Sequence, residues 1–120
     1  MYNSIKSRFL PVFLATLSGV ALAQVTEEAS LEHDPVSGLR NSLVRVDDDT
    51  YALAYRSANN DGHIKTFTIS ADGSSINEVF SLEHDSVNGF DNSLVRVDDD
   101  TYALAYRNDD DGGYIKTFTI

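Results

Sequence analysis

The sequence predicts an all-β protein, built as tandem four-stranded antiparallel meanders behind an N-terminal leader. Three observations predict it. Ser30-Leu31-Glu32-His33-Asp34 returns as Ser81-Leu82-Glu83-His84-Asp85, residues 41–56 return unchanged as 92–107, and 64–69 return as 115–120, always at an offset of 51. Within each unit, apolar and β-branched residues follow the two-residue period of a strand. After Gln24 no stretch joins a helical period to helix start and stop signals.

Taken in order, residues 1–23 read as a secretory signal peptide. Lys6 and Arg8 give a positive start, an apolar stretch follows, and Ala21-Leu22-Ala23 is a small-residue cleavage site before Gln24. The apolar run of roughly 15 residues, broken by Pro11, is short for a bilayer-spanning helix, which needs about 20. No second such run exists, so no membrane span is expected once the leader is cleaved. Residues 24–40 are read as an N-terminal segment together with the first strand of the repeat array. Residues 41–91 form the first four-stranded repeat, and 92–120 a second, truncated one.

Inside the first repeat, Ser42-Leu43-Val44-Arg45-Val46 is a short β-branched strand, and Asp47-Asp48-Asp49 is a polar turn. In Thr50-Tyr51-Ala52-Leu53-Ala54-Tyr55-Arg56, the tyrosines and Leu53 take one face and the two alanines the other. The span 57–62 is a polar loop, 63–69 a strand rich in Thr, Ile and Phe, and 76–83 a fourth strand. Over 40 aligned pairs 30 are identical, and all ten differences fall within 35–40 and 57–63 of the first copy. The chain stops inside its second unit, the pattern expected of a fragment.

Four antiparallel strands in about 50 residues, repeated in tandem, are the unit of a β-propeller blade. Apolar residues on both sides of the second strand fit sheets stacked on both faces, with Ala52 and Ala54 small enough to admit a neighbour. The turn Ser70-Ala71-Asp72-Gly73-Ser74-Ser75-Ile76 looks like an Asp-box, but Gly73 directly follows Asp72 and Ile76 stands where that motif has Trp. On these residues the chain resembles secreted bacterial β-propeller repeat proteins, kelch-like and Asp-box types included. The resemblance covers about residues 30–120 and is architectural, and a sialidase identity does not follow from it. A closed propeller typically has four to eight blades. The expectation is therefore an incomplete propeller whose open blades belong to a longer chain or self-associate. A sandwich of two sheets is the alternative.

Composition narrows the function classes. The 19 acidic against 9 basic residues give a formal charge of −10, which loss of Lys6 and Arg8 takes to 7 − 19 = −12. Such a chain repels nucleic acid and anionic membrane surfaces. With no Cys, disulfides, thiolate zinc sites and cysteine nucleophiles are excluded. No nucleophile-elbow, zinc-protease or phosphate-loop motif occurs.

The remaining candidates are weighed by chemistry. Asp47–Asp49 and Asp98–Asp100 offer carboxylates for Ca²⁺ but lack the order of a cation loop, and a hairpin turn explains them. Asp109 and Asp111 before Gly112, with Asn59 and Asp61 in the first copy, are the better calcium candidates, so calcium is the one cofactor entertained. The Glu-His-Asp trio of each copy alternates faces along a strand, so its three side chains do not meet on one ion. Tyr114, Arg56 and Arg107 are the candidate ligand contacts, Tyr114 replacing His63 at an exposed loop edge.

The function expected is a secreted, extracellular or periplasmic, non-catalytic binding or surface-interaction module. Its ligand would be a carbohydrate or protein, held by the variable loops. Part of a secreted glycoside hydrolase or lyase, or a structural adhesin repeat, are the alternatives.

Overall fold

The computed structural model describes residues 22–120. The leader expectation falls on 1–23 and lies almost wholly outside them. Among the described residues no helix is long and apolar enough to cross a membrane.

The β-branched and aromatic runs become seven strands, in order β1 (Leu39–Arg45), β2 (Thr50–Arg56), β3 (Gly62–Ile69), β4 (Ile76–Asp85), β5 (Phe90–Arg96), β6 (Thr101–Arg107) and β7 (Gly113–Thr119). They form two antiparallel meanders, β1-β2-β3-β4 and β5-β6-β7. Strand bounds differ from the sequence reading in β1, which ends at Arg45, in β3, which opens at Gly62, and in β4. β1 begins at Leu39, and residues 22–38 before it hold no strand. β4 runs on to Asp85 because its last residues still pair with β3, Gly62 opposite Asp85 and His63 opposite Glu83. The 57–62 loop contains one 3₁₀ turn, Ala58–Asn60, whose Asn59 sits at φ 61°.

The turns explain the acids they carry. Asp47 Oδ1 accepts the Asp49 and Thr50 amides at 3.2 and 2.9 Å, and Asp98 does the same for Asp100 and Thr101. Arg45 and Arg96 donate to the carbonyls of Asp47 and Asp98 across these turns. Between β3 and β4, Asp72 Oδ1 accepts from Ser70 Oγ, Ser74 N and Ser74 Oγ, which holds its carboxyl at about 2.

The two sheets pack face to face through a shared core. Ala52, Ala54, Val46 and Ile64 of the first sheet meet Leu94, Tyr102, Leu104 and Tyr106 of the second. Small residues on one side therefore receive large ones from the other, the complementarity that the β2 alternation prepared. Inner strands approach most closely, with the Leu94 amide donating to Ser42 Oγ at 3.0 Å and Tyr102 Oη to the Val46 carbonyl at 3.3 Å. Between the outer strands lies an apolar groove lined by Ile64, Phe80, Leu82, Phe118 and Ile120. The opposite face of the first sheet buries Leu53, Tyr55 and Phe67 with Ile76 in a second cluster.

Candidate functional site

All ten positions that differ between the repeats gather at one end of the sheets. Leu39 pairs with Arg56 and Arg56 with Gly62, so the start of β1, the end of β2 and the 57–61 loop share that end. Phe90, Arg107 and Gly113 repeat the arrangement in the second sheet. The aspartate and serine turns, identical or unique to one copy, lie at the other end.

At this rim the backbone takes costly conformations. Arg40 and Asp91, which occupy the same repeat position, have φ of 56° and 55°, beside irregular register in β1 and β5. Their side chains meet across the two sheets, Arg40 Nε to Asp91 Oδ1 at 3.5 Å. Arg56 and Arg107 both place their guanidiniums over the Phe90 ring, 4.9 and 4.8 Å from its centroid. Arg107 also donates to Asp111 Oδ1 at 2.7 Å and to Asp91 Oδ2 at 3.4 Å. The arginines singled out from sequence thus join one cation–aromatic–carboxylate cluster between the repeats. Phe90, Asp91 and Arg40 belong to that cluster and were not singled out. Their signal was that they too differ from the other copy, Phe90 replacing Leu39.

The acid-rich loop of the second copy folds around Asn108, whose Oδ1 accepts the Asp110 and Gly112 amides at 3.2 and 3.0 Å. Asp111 is turned to Arg107, and Asp109 stands exposed. Asn59 is likewise exposed at its left-handed turn. Neither Asp109, Asp111 nor Asn59 is brought to a shared cation position. Asp61 is: with His63 and Glu83 it forms a group whose ligand atoms all lie within 4.8 Å of one another, and among the described residues this is the one such group.

The fold builds that trio from local rules. Asp61 and His63 are two apart, hence on one side of the chain, and His63 faces Glu83 across the β3–β4 ladder, Nε2 to Oε2 at 4.0 Å. Its imidazole stacks on Tyr55 at 5.7 Å and 26°. Tyr55 is fixed in turn, donating its hydroxyl to Asp34 Oδ2 at 3.0 Å. One imidazole and two carboxylates, partly open to water, suit a divalent cation that accepts mixed nitrogen and oxygen ligands. In the second copy Gly112 and Tyr114 stand at the positions of Asp61 and His63, and Tyr114 stacks on Tyr106 at 5.6 Å. Tyr114 is 46% exposed, as an edge contact requires.

No protein-family profile, curated protein or solved structure matches the chain. The functional reading therefore rests on the residues themselves.

The invariant Glu-His-Asp segments do a different task from the variable rim. Asp85 Oδ1 accepts the Val87 and Asn88 amides at 3.0 Å each, and its Oδ2 accepts the Tyr106 hydroxyl at 2.7 Å. His84 lies edge-on to Tyr106, and Lys116 donates to the His84 carbonyl. Asp34, His33, Tyr55 and Lys65 reproduce every one of these contacts one repeat earlier. Each segment latches onto the following sheet. The register change opposite Gly62 and His63 leaves His84 unpaired as a bulge. Its ring is thereby buried against Gly62, where any Cβ would run into it.

Burial pushes the His84 imidazole down to about 4, with Lys116 adding to the effect and the Asn92 hydrogen bond opposing it. Burial alone would raise the carboxyls of Asp34 and Asp85. Their two amide donors and the tyrosine hydroxyl outweigh it and hold both below the usual range.

Proposed function

We propose that this chain is a secreted, acidic repeat protein of β-propeller type that acts as a non-catalytic binding module for an extracellular carbohydrate or protein. The observation that carries the reading is the sorting of sequence difference onto one rim of an otherwise duplicated scaffold. Core, turns and latches are kept alike, while the ten differing positions collect where Arg56, Phe90, Arg107 and Tyr114 sit. Loops on a rigid scaffold are where ligand contact is built, and stacking aromatics beside guanidiniums suit sugar rings or acidic peptide. Stacking of small on large faces between successive sheets supports the propeller-type architecture.

A glycan and peptide array probed with the purified chain tests the reading. Binding should vanish in Tyr114→Ala and Arg107→Ala while the urea midpoint moves little. Release of cleaved sugar from the bound glycan would instead establish an enzyme.

A second reading has its own observation, the Asp61, His63 and Glu83 trio. In it the rim of the first repeat holds a divalent cation. Titration with Zn²⁺ and, separately, Ca²⁺ tests it by calorimetry and melting temperature. With free metal at about 100 times its dissociation constant, stability should rise by about 2.7 kcal/mol. A His63→Ala variant should lose Zn²⁺ binding. Unchanged affinity in that variant, or no shift with either metal, defeats this reading.

A further inference from the structure

The duplication places two identical surfaces in unlike surroundings. In the first sheet the face bearing Val46, Ala52, Ala54 and Ile64 is buried, 6, 0, 0 and 5% exposed, under Tyr102, Leu104 and Tyr106 of the second. The same face of the second sheet is uncovered among the described residues: Val97 is 60% and Ile115 75% exposed, and Ala105 is exposed. The edges differ in the same sense. β3 carries β4 on its outer side, whereas among the described residues β7 pairs with β6 alone. Gly62 is pressed by the His84 ring and Gly89, whereas a Cβ at Gly113 would meet nothing within 4 Å.

The chain also carries the matching pieces. What β4 lays against β3 is Ser81-Leu82-Glu83-His84-Asp85, and Ser30-Leu31-Glu32-His33-Asp34 is the same pentapeptide outside any strand. That segment already grips its own Tyr55 as residues 84–85 grip Tyr106. What covers the alanine face of the first sheet is a Tyr-Leu-Tyr face, and β2 carries the same three residues on the corresponding side, Tyr51 half-buried and Leu53 and Tyr55 already 7 and 1% exposed within the single chain.

We propose that the uncovered face and edge of the second sheet bind a second copy of this chain, head to tail. The operation that carries the first sheet onto the second, applied once more, sets the second copy's β2 face on Val95, Val97, Ala103, Ala105 and Ile115. It simultaneously lays the second copy's Ser30–Asp34 along β7 as its fourth strand, with Glu32 opposite Tyr114 and Leu31 opposite Ile115, as Glu83 and Leu82 stand opposite His63 and Ile64. Face and strand are satisfied by one placement, with no refolding of the donor segment's latch. The contact is heterologous, so it propagates until the rotation closes a ring. On the order of two to four copies would reach the four to eight blades of closed propellers. This inference rests on the repeat-stacking part of the proposed function and is independent of the ligand.

The test uses the absence of cysteine from the chain. The full chain, expressed with its leader and collected after export, is sized by light scattering, then as the Glu32→Cys/Tyr114→Cys double variant under mild oxidation. A discrete multimer and disulfides joining different chains are expected. Ala105→Arg, placed on an exposed position, should give a monomer with an unchanged β-sheet circular dichroism spectrum. A folded wild-type monomer at high micromolar concentration overturns the assembly while leaving the rim reading intact. So does a disulfide closed within one chain, an aggregate that Ala105→Arg fails to disperse, or a native product whose own further repeat covers the face. Assembly without array binding would instead count against the rim.

Discussion

Single residues decide how the repeats hold one another. Tyr106 is 4% exposed and its hydroxyl ends on an ionised carboxylate, Asp85, at 2.7 Å. Tyr106→Phe keeps the packing and removes that bond, so it should cost about 1.5–3 kcal/mol, the range for hydrogen bonds to charged groups. A urea unfolding series checks it. His84 makes the latch sensitive to acid. The unfolded imidazole titrates near 6.5, whereas the buried one holds out to about 4. Between those values the unfolded chain binds a proton that the folded chain excludes, so stability falls as pH drops from 6.5 to 4. The total loss is about 3 kcal/mol and levels off below pH 4. Asp34 and Asp85 add a second loss as pH falls below 3.8 and through their depressed folded values. The first slope should be missing from a His84→Gln variant in urea midpoints taken across pH. A midpoint that rises on acidification would contradict the burial of His84. The sequence displayed His84 and Asp85 twice over. It did not reveal the bulge that turns the histidine inward, because a bulge arises from pairing with another strand.

At the scale of elements, identical strands acquire different environments. β2 and β6 share the sequence Thr-Tyr-Ala-Leu-Ala-Tyr-Arg, yet Ala54 is fully buried and Ala105 is exposed. Ala54→Leu forces three extra carbons into the core it shares with Leu104 and Tyr106, and should destabilise the chain by about 1–3 kcal/mol. Leu43→Ala, on a neighbouring strand but 59% exposed, should stay within about 0.5 kcal/mol. Chemical denaturation of both variants checks the pair, and equal losses would mean that the sheets do not stack through the alanine face. Period-two alternation made these faces legible in advance. Which copy of each face is covered was not, since that depends on neighbours rather than on the strand. The candidate rim was half legible in the same way. Asp61, Arg56, Arg107 and Tyr114 stood out by charge or by difference, whereas Glu83 entered the cation group only through its register with His63, 20 residues earlier in the chain.

Across the molecule, the two sheets share one core, so neither should unfold alone. Leu104 is fully buried in the contact between them. Leu104→Ala leaves a cavity there and should cost about 2–5 kcal/mol. Hydrogen exchange should show amides of β2, in the other sheet, losing protection together with those of β6. Loss confined to β5–β7 would mean independent sheets.

The sequence by itself determined the strands, the turns, the repeat and the two-faced alternation, because these follow from backbone sterics and nearest-neighbour periodicity. It also determined where the copies differ. Only the tertiary structure decided that those differences meet on one rim, that Asp61, His63 and Glu83 converge, and that His84 is buried in the latch. It also decided which alanine face is left without a neighbour. Each of these is a relation between segments distant along the chain, set by strand register and sheet stacking, and no local pattern encodes it.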